Sequence, residues 1–186
     1  MVPLEVTFGA LALMFTLIGI ARGCLRELGV TTVMMFVLFF LRTFDGYVDQ
    51  GVGRVMAMSP VTLAQGDPDV VGCWVFVGSV LAAAFVSYQG HTLEFVGQPP
   101  TGIRAVVFGL LTGAVNGYLV VGSLWYYLDQ YGYPLEFLGV NAESLSARAQ
   151  ALLPFLPQPF LGQPVLFGQS LLLYLSILLL LARVIR

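Results

Sequence analysis

Five long apolar runs that contain no Asp, Glu, Lys, Arg or His constrain this chain more than any other feature of its sequence. The runs are Val6 to Ala21, Leu28 to Leu41, Val70 to Tyr88, Ala105 to Leu128 and Val165 to Ala182. A helix needs about 20 residues, or about 17 at the short end, to cross a hydrocarbon core of roughly 30 Å. The last three runs reach this length, the first extends back through Leu4, and the second reaches Phe44 if Arg42 snorkels to the headgroups. We therefore predict an all-α membrane protein, a polytopic bundle of about five transmembrane helices in which a four-helix core precedes a C-terminal helix.

Composition narrows the classes of function. The chain of 186 residues is 58% hydrophobic and 10% charged, carries a net charge of −2 and has no lysine. Without lysine there is neither a Walker A motif nor a Schiff base, and His91 alone cannot supply a haem pocket built on paired ligands or a conventional zinc site. Cys24 and Cys73 form no Cys-x-x-Cys pair, and no basic patch suggests nucleic acid. We expect a protein that is not an enzyme, binds no cofactor or metal, and has membrane lipids rather than nucleic acid among its partners.

The stretch Gly19 to Leu28, GIARGCLREL, places two arginines and a glutamate between the first two runs. Arg22 and Arg26 are four residues apart, so on a helix they share one face of a short hairpin tip. Arginine is costly inside the bilayer and favours the cytoplasmic side, so we predict the tip inside, the N-terminus outside and the C-terminus cytoplasmic. Glu5 without a basic neighbour does not resemble a signal peptide, and the first helix is expected to remain. Two roles stay open for the arginines: a hairpin anchor, or a site for a phospholipid headgroup or an acidic partner.

A ladder of small residues marks the fourth run. Its members are Ala105, Gly109, Gly113 and Gly117, and the first run adds the pair Gly19 and Gly23. Such stripes let two helices approach to backbone contact in lipid. Packing within the chain, against the first or third span, and association with a second copy or another subunit both fit this pattern. Asn116 is the one strongly polar side chain deep in a span, and it predicts an interhelical hydrogen bond worth about 0.6 to 2 kcal/mol, with no ionisable group beside it.

These motifs together resemble a known family. Glu5 at the start of the first run, the hairpin Gly19-x-x-Arg22-Gly23-x-x-Arg26-Glu27-Leu28, and the glycine-spaced segment from Arg104 to Gly117 are similar to the signature of the colicin V production protein family, CvpA. Weaker similarity extends from Glu143 to Pro157. The placement of Arg104, the amide at Asn116 where a basic residue is frequent, and the added fifth run indicate a divergent member. The resemblance implies a small bacterial inner-membrane protein linked to colicin V export and envelope maintenance, and it supplies no catalytic residues.

The chain is expected to divide into a membrane core of residues 1–128, an extracytoplasmic loop of residues 129–164 and a C-terminal transmembrane helix of residues 165–186. Within the loop, Asn141 suits a helix N-cap, and Leu145 and Ala149 fall at helical spacing. A short helix on the outer membrane surface is predicted there, before a proline-rich segment, and docking into the bundle is the alternative. An earlier outer loop, Asp45 to Asp69, is expected to be partly helical from Val48 to Met58.

Three functions follow from this reading. The first is a CvpA-like, non-enzymatic inner-membrane protein that acts in colicin V or toxin export or in envelope maintenance through helix-mediated association, as a homo-oligomer or with other membrane subunits. The second is an accessory structural subunit of a larger membrane complex, for example an energy-transducing one. The third is a channel or transporter for a small solute, which the lack of charge within the predicted spans disfavours.

Overall fold

Four long helices dominate residues 4–58, 67–89, 95, 97–134 and 145–184, which the computed structural model describes. They are α1 (Leu4–Arg22), α2 (Cys24–Met58), α3 (Pro68–Gln89) and α4 (Ile103–Gln130). Each of the four is long and apolar enough to cross a membrane. The predicted all-α polytopic bundle is therefore confirmed, and the chain is a membrane protein.

A single residue, Gly23, separates the first two helices. Its φ of +86° lies in the left-handed region, where glycine has no Cβ to clash. Helix α2 then continues for 35 residues, about 52 Å at 1.5 Å per residue, which exceeds the roughly 30 Å hydrocarbon core. The predicted helix from Val48 to Met58 is present, but it continues α2 without a break, so the expected interruption of the helix at Asp45 is wrong. No proline lies between Cys24 and Met58, so the charged residues of this stretch extend the helix instead of ending it.

The hydrophobic core lies where α2, α3 and α4 meet. Its fully buried side chains include Met34, Leu38, Phe76, Leu119 and Tyr127. The ring of Phe76 stacks on that of Tyr127, with their centroids 4.7 Å apart. Helix α1 lies at the edge of this core and packs chiefly along α4.

Residues 145–162, the described part of the segment that follows α4, contain short elements. They are α5 (Ala147–Leu152), a 3₁₀ helix (Leu153–Phe155) and α6 (Pro157–Leu161). Ser146 caps α5, because its hydroxyl accepts a hydrogen bond from the backbone N–H of Ala149, and the predicted cap Asn141 lies outside the described residues. Ala149 and Gln158 are buried, and an added Cβ at Gly122 of α4 would lie 2.6 Å from Pro157 Cδ. The predicted short helix is present as α5, which packs on the bundle through Ala149 and exposes its other residues, while the proline-rich segment after it docks against α4.

The C-terminal region also differs from its predicted form. Strands β1 (Pro164–Leu166) and β2 (Gln169–Ser170) pair in an antiparallel hairpin, and α7 (Leu171–Val184) follows. The turn places Phe167 at φ +48° and Gly168 at +73°. The prediction of a helix from Val165 is wrong for its first six residues, and the remaining 14-residue helix, about 21 Å long, packs on α2.

Candidate functional site

The small residues of α4 meet α1 within the chain. An added Cβ at Gly113 would lie 2.6 Å from Phe15 O and 2.9 Å from Gly19 Cα. At Gly117 it would lie 2.7 Å from Ala12 O, and Gly109 faces Gly19 in the same way. Real Cβ atoms do not approach so closely, so the two backbones touch only because these positions are glycine. The ladder is thus used for packing inside the molecule, against the first span.

One member of the predicted interface lies elsewhere. Gly23 has no heavy atom within 4 Å of an added Cβ, and its role is the turn between α1 and α2. Ala105 lies one helical turn before Gly109 and lines a cavity near the hairpin tip together with Ile20 and Arg22 of α1. The close approach of the two backbones is made by Gly19, Gly109, Gly113 and Gly117.

Glu27 lies at the centre of the most unusual arrangement in the described residues. It occupies the first turn of α2, and its side chain is 0% exposed. Its Oε1 accepts a hydrogen bond from Arg22 Nη1 at 3.0 Å. Its Oε2 accepts from the Tyr88 hydroxyl at 3.0 Å and from Asn116 Nδ2 at 2.7 Å. Four elements, α1 to α4, thus supply this carboxylate and its partners.

Asn116 and Thr31 complete the cluster. Asn116 Nδ2 also donates to the backbone oxygen of Glu27 at 3.0 Å, while its Oδ1 lies 2.7 Å from the Thr31 hydroxyl. Thr31 follows Glu27 by four residues, so both side chains lie on one face of α2. The predicted interhelical hydrogen bond of Asn116 is confirmed. The expectation that no ionisable group lies beside it is wrong, because Glu27 does.

The two arginines of the tip do not act as a pair. Gly23 ends α1, so Arg22 and Arg26 belong to different helices rather than to one helix face. Arg22 turns inward, where its guanidinium lies 4.5 Å from the ring centroid of Tyr88 and makes the salt bridge to Glu27. A charge pair of this kind offsets the cost of burying each ion only when both are well hydrogen-bonded, as they are here.

A cavity of about 560 Å³ lies beside the hairpin tip. Arg26 and Cys24 line it from α2, and Pro99 and Pro100 line it from the segment before α4. Cys24 is partly exposed and Cys73 is buried, and both are free thiols. Arg22 and Arg26 both line this cavity. It is therefore the place where a phospholipid headgroup or an acidic partner would contact the two arginines.

Asp45 and Asp49 connect α2 to the end of α4, a role that was not predicted for them. Gln130 Nε2 donates to both carboxylate oxygens of Asp45, at 3.3 and 3.4 Å, and the Tyr131 hydroxyl donates to Asp49 at 2.7 Å. Burial and the Asp49 carboxylate raise the pKa of Tyr131, so its hydroxyl remains a donor. These bonds hold the second half of α2 against the end of α4.

The Glu27 cluster has the chemistry of a structural lock. Both oxygens of the carboxylate are engaged, and the residues around it are apolar or already paired. Among the described residues, no group of three His, Cys, Asp or Glu side chains could hold a metal ion, and His91 lies outside them. Comparison with protein-family models, curated proteins and solved structures finds no match to this chain.

Proposed function

We propose that this chain is a CvpA-like, non-enzymatic protein of the bacterial inner membrane that takes part in colicin V or toxin export, or in envelope maintenance, by associating with other helices. The observation that supports this proposal best is that the two motifs carrying the resemblance pack on each other. Gly19 of the hairpin contacts Gly109 and Gly113 of the glycine segment, and Glu27 is hydrogen-bonded to Asn116. The signature residues thus form one structural unit.

Glu5, the acidic residue at the start of the signature, also makes a contact within the fold. Its Oε1 accepts a hydrogen bond from the Ser146 hydroxyl at 2.7 Å, which ties the start of α1 to the cap of α5. With Arg22 and Glu27 also paired to each other, three of the charged residues of the signature hold the fold together. A role through association, rather than through chemistry at these residues, is the reading that their geometry favours.

The outer faces of α1 and α4 offer surface for such association. Both helices expose large apolar side chains away from their shared glycine contact, including Leu13, Leu17, Val107 and Leu111. In lipid, helices associate through close packing and hydrogen bonds rather than by burial from water. A rigid pair of helices with a broad apolar face suits lateral contact with a second copy or another membrane subunit.

A second candidate, an accessory subunit of a larger membrane complex, is favoured by the length of α2. This helix is longer by about 22 Å than the hydrocarbon core requires. Its exposed rings follow one another along the helix, with Phe36 and Phe40 centroids 5.3 Å apart and Phe40 and Phe44 centroids 5.8 Å apart. The helix thus offers an aromatic stripe along its spanning part and a further length beyond it, and both provide surface for a neighbouring subunit.

One experiment separates these two candidates. The full chain is extracted from native membranes in a mild detergent, its native mass is measured, and the proteins that co-purify are identified. A monomer or homo-oligomer supports the independent CvpA-like role. A larger complex, in which the chain co-purifies at fixed stoichiometry with other subunits, supports the accessory subunit instead.

The export role has its own test. The chain is produced in a bacterium that makes colicin V but lacks its own CvpA protein, and secreted colicin is measured. Restored secretion by the wild-type chain, with loss in Gly113→Leu and retention in Gly9→Leu, is expected. Gly9 is the matched control because an added Cβ there meets no atom within 4 Å. No secretion from a chain that is folded and inserted would refute the export role.

A further inference from the structure

A second polar cluster surrounds a cavity at the end of the bundle away from Gly23. The cavity has a volume of about 310 Å³ and is lined by Arg42, Asp45, Tyr126, Tyr127 and Gln158. These residues come from α2, α4 and the docked helix α6. Arg42 follows Glu27 by fifteen residues along α2, about 22 Å, so the two clusters are separate.

Gln158 has an unsatisfied oxygen in this site. Its side chain is 1% exposed, and its Nε2 donates to the Tyr127 hydroxyl at 2.7 Å and lies 3.5 Å from Leu38 O. A backbone carbonyl only accepts, so the nitrogen, not the oxygen, must face Leu38. The Oε1 atom is buried and has no hydrogen-bond partner. A buried acceptor without a donor is costly, and a bound group with N–H or O–H donors would satisfy it.

Two opposite charges line the same cavity as Gln158. Arg42 donates through Nη1 to the backbone oxygen of Gln158 at 3.1 Å, which leaves other N–H donors of its guanidinium for a ligand. Among the described residues, Asp45 accepts the long bonds of 3.3 and 3.4 Å from Gln130. The wall therefore offers a cation, an anion and a neutral acceptor within one small space.

We propose that this cavity binds a zwitterionic phosphoethanolamine group. The phosphate pairs with the guanidinium of Arg42, whose fork matches phosphate geometry. The ammonium donates to Asp45 and to Gln158 Oε1, and the partly exposed ring of Tyr126 adds a face that attracts a cation. The volume is at the small end of the range for ligand pockets, which suits a headgroup rather than a whole lipid.

The same chemistry has two sources, the headgroup of phosphatidylethanolamine and a soluble phosphoethanolamine. Tyrosines and arginines at a helix end are typical of the membrane interface, where the lipid headgroup lies. The proposal does not depend on the function proposed above, because it concerns different residues and a different end of the bundle.

Binding is measured by native mass spectrometry of the purified full chain titrated with lipids of defined headgroup. Phosphatidylethanolamine is expected to bind at least about tenfold more tightly than phosphatidylcholine or phosphatidylglycerol. Neither of the latter two headgroups has an ammonium N–H to donate to Asp45, so each lacks one charge-assisted hydrogen bond. Affinity should fall at each step from ethanolamine through its mono- and dimethyl forms to choline, because each methyl replaces an N–H donor. This series uses only the wild-type chain, so it does not depend on whether a variant folds.

The variants test which residues carry the preference. Asp45→Asn is expected to weaken phosphatidylethanolamine binding at least about tenfold, and Arg54→Gln, an exposed arginine on the same helix, should leave it unchanged. Soluble phosphoethanolamine that binds as tightly as the lipid would identify a soluble ligand of the same chemistry. Equal affinity for the ethanolamine and choline headgroups, together with no binding of phosphoethanolamine, would overturn the proposal, as would a preference that Asp45→Asn leaves intact.

Discussion

Replacement of Glu27 by glutamine tests the buried lock most directly. Glutamine keeps the size of the side chain but removes its charge, and it turns one oxygen into an NH₂ group. If the NH₂ faces Arg22, two donors oppose each other; if it faces Asn116 Nδ2, the same conflict arises there. Glutamine therefore cannot satisfy both sides of the cluster at once.

The expected loss of stability follows from the bonds that converge on the carboxylate. Three donors reach it, from Arg22, Tyr88 and Asn116. A hydrogen bond to a charged group contributes about 1.5 to 3 kcal/mol and a neutral one about 1 kcal/mol, so removing the charge costs about 3 kcal/mol in all. The Arg22 side chain is 23% exposed, so water recovers part of its lost pairing. We expect Glu27→Gln to lower the free energy of unfolding by about 2 kcal/mol, roughly a 30-fold change in the folding equilibrium.

The assay is equilibrium unfolding of the full chain in mixed micelles with increasing SDS, followed by the fluorescence of Trp74 and Trp125. Asp69→Asn is the control, since that carboxylate is exposed in the first turn of α3 and should cost less than about 1 kcal/mol. In the double variant with Arg22→Gln, the two losses should be less than additive by at least about 1 kcal/mol. A Glu27→Gln chain within about 0.5 kcal/mol of the wild type would refute the argument that this carboxylate is a structural lock.

Three further changes probe other contacts by the same unfolding assay. Gly113→Leu should prevent the close approach of α1 and α4 and lower stability by more than about 3 kcal/mol, because its side chain would overlap the backbone at Phe15. Gly23→Ala should cost about 1 to 2 kcal/mol, because its φ of +86° is strained for any residue with a Cβ. Tyr133→Phe should cost about 1 to 3 kcal/mol, since Trp125 Nε1 donates to that hydroxyl at 2.9 Å and the indole N–H is buried.

Each of these has a result that would count against it. Gly113→Leu with the stability of Gly9→Leu would mean that α1 and α4 do not pack through their glycines. Gly23→Ala as stable as the wild type would mean that the hairpin turn does not need a positive φ. An unchanged Trp125 emission spectrum in Tyr133→Phe would mean that the indole has no hydrogen bond to lose.

The spans and the small-residue interface could be predicted from the sequence because both depend on local pattern. Hydropathy over about 20 residues reports whether a segment can lie in lipid, and α1, α3 and α4 begin and end close to their predicted limits. The spacing of Gly109, Gly113 and Gly117 places them on one stripe of any helix. The identity of the partner, α1 rather than α3 or a second copy, could not be read from that stripe alone.

Glu27 was missed because its neighbours in sequence give a misleading signal. Directly after Arg26 and four residues after the tip glycine Gly23, it is interpreted as part of a charged surface turn, whereas its burial depends on Asn116, 89 residues away. Two signs pointed to it. Asn116 in the middle of a span needed a partner, and Thr31 lies one helical turn after Glu27 on the same face of α2. A buried amide is a reason to search the whole chain for an ionisable group at matching depth.

The prediction of a helix from Val165 was wrong for a different reason. Hydropathy counts Val165 and Phe167 as apolar whether they lie in a helix or in a strand, and it cannot see a turn. Gly168 and the preceding Pro164 were the available signals, because both are common where a chain reverses. A run of apolar residues interrupted by such pairs should be divided before its length is compared with the thickness of a membrane.

The polar clusters around Glu27 and Arg42 lead to a last prediction, which concerns how α2 is held in the bundle. Glu27 and Arg42 each fasten this helix to α4, the first through Asn116 and the second through the docked Gln158 beside Tyr127. They share no partner, and the buried apolar residues Met34 and Leu38 lie between them. Changes more than about 10 Å apart without common partners usually add within about 0.5 kcal/mol.

We therefore expect the loss of stability in a chain with both Glu27→Gln and Arg42→Gln to equal the sum of the two single losses within about 0.5 kcal/mol, measured in the same SDS titration. Additivity would mean that α2 is held independently at two points and that the apolar packing between them keeps its register in either single variant. A deviation greater than about 1 kcal/mol would contradict this, because it would mean that releasing one end of α2 already loosens the other.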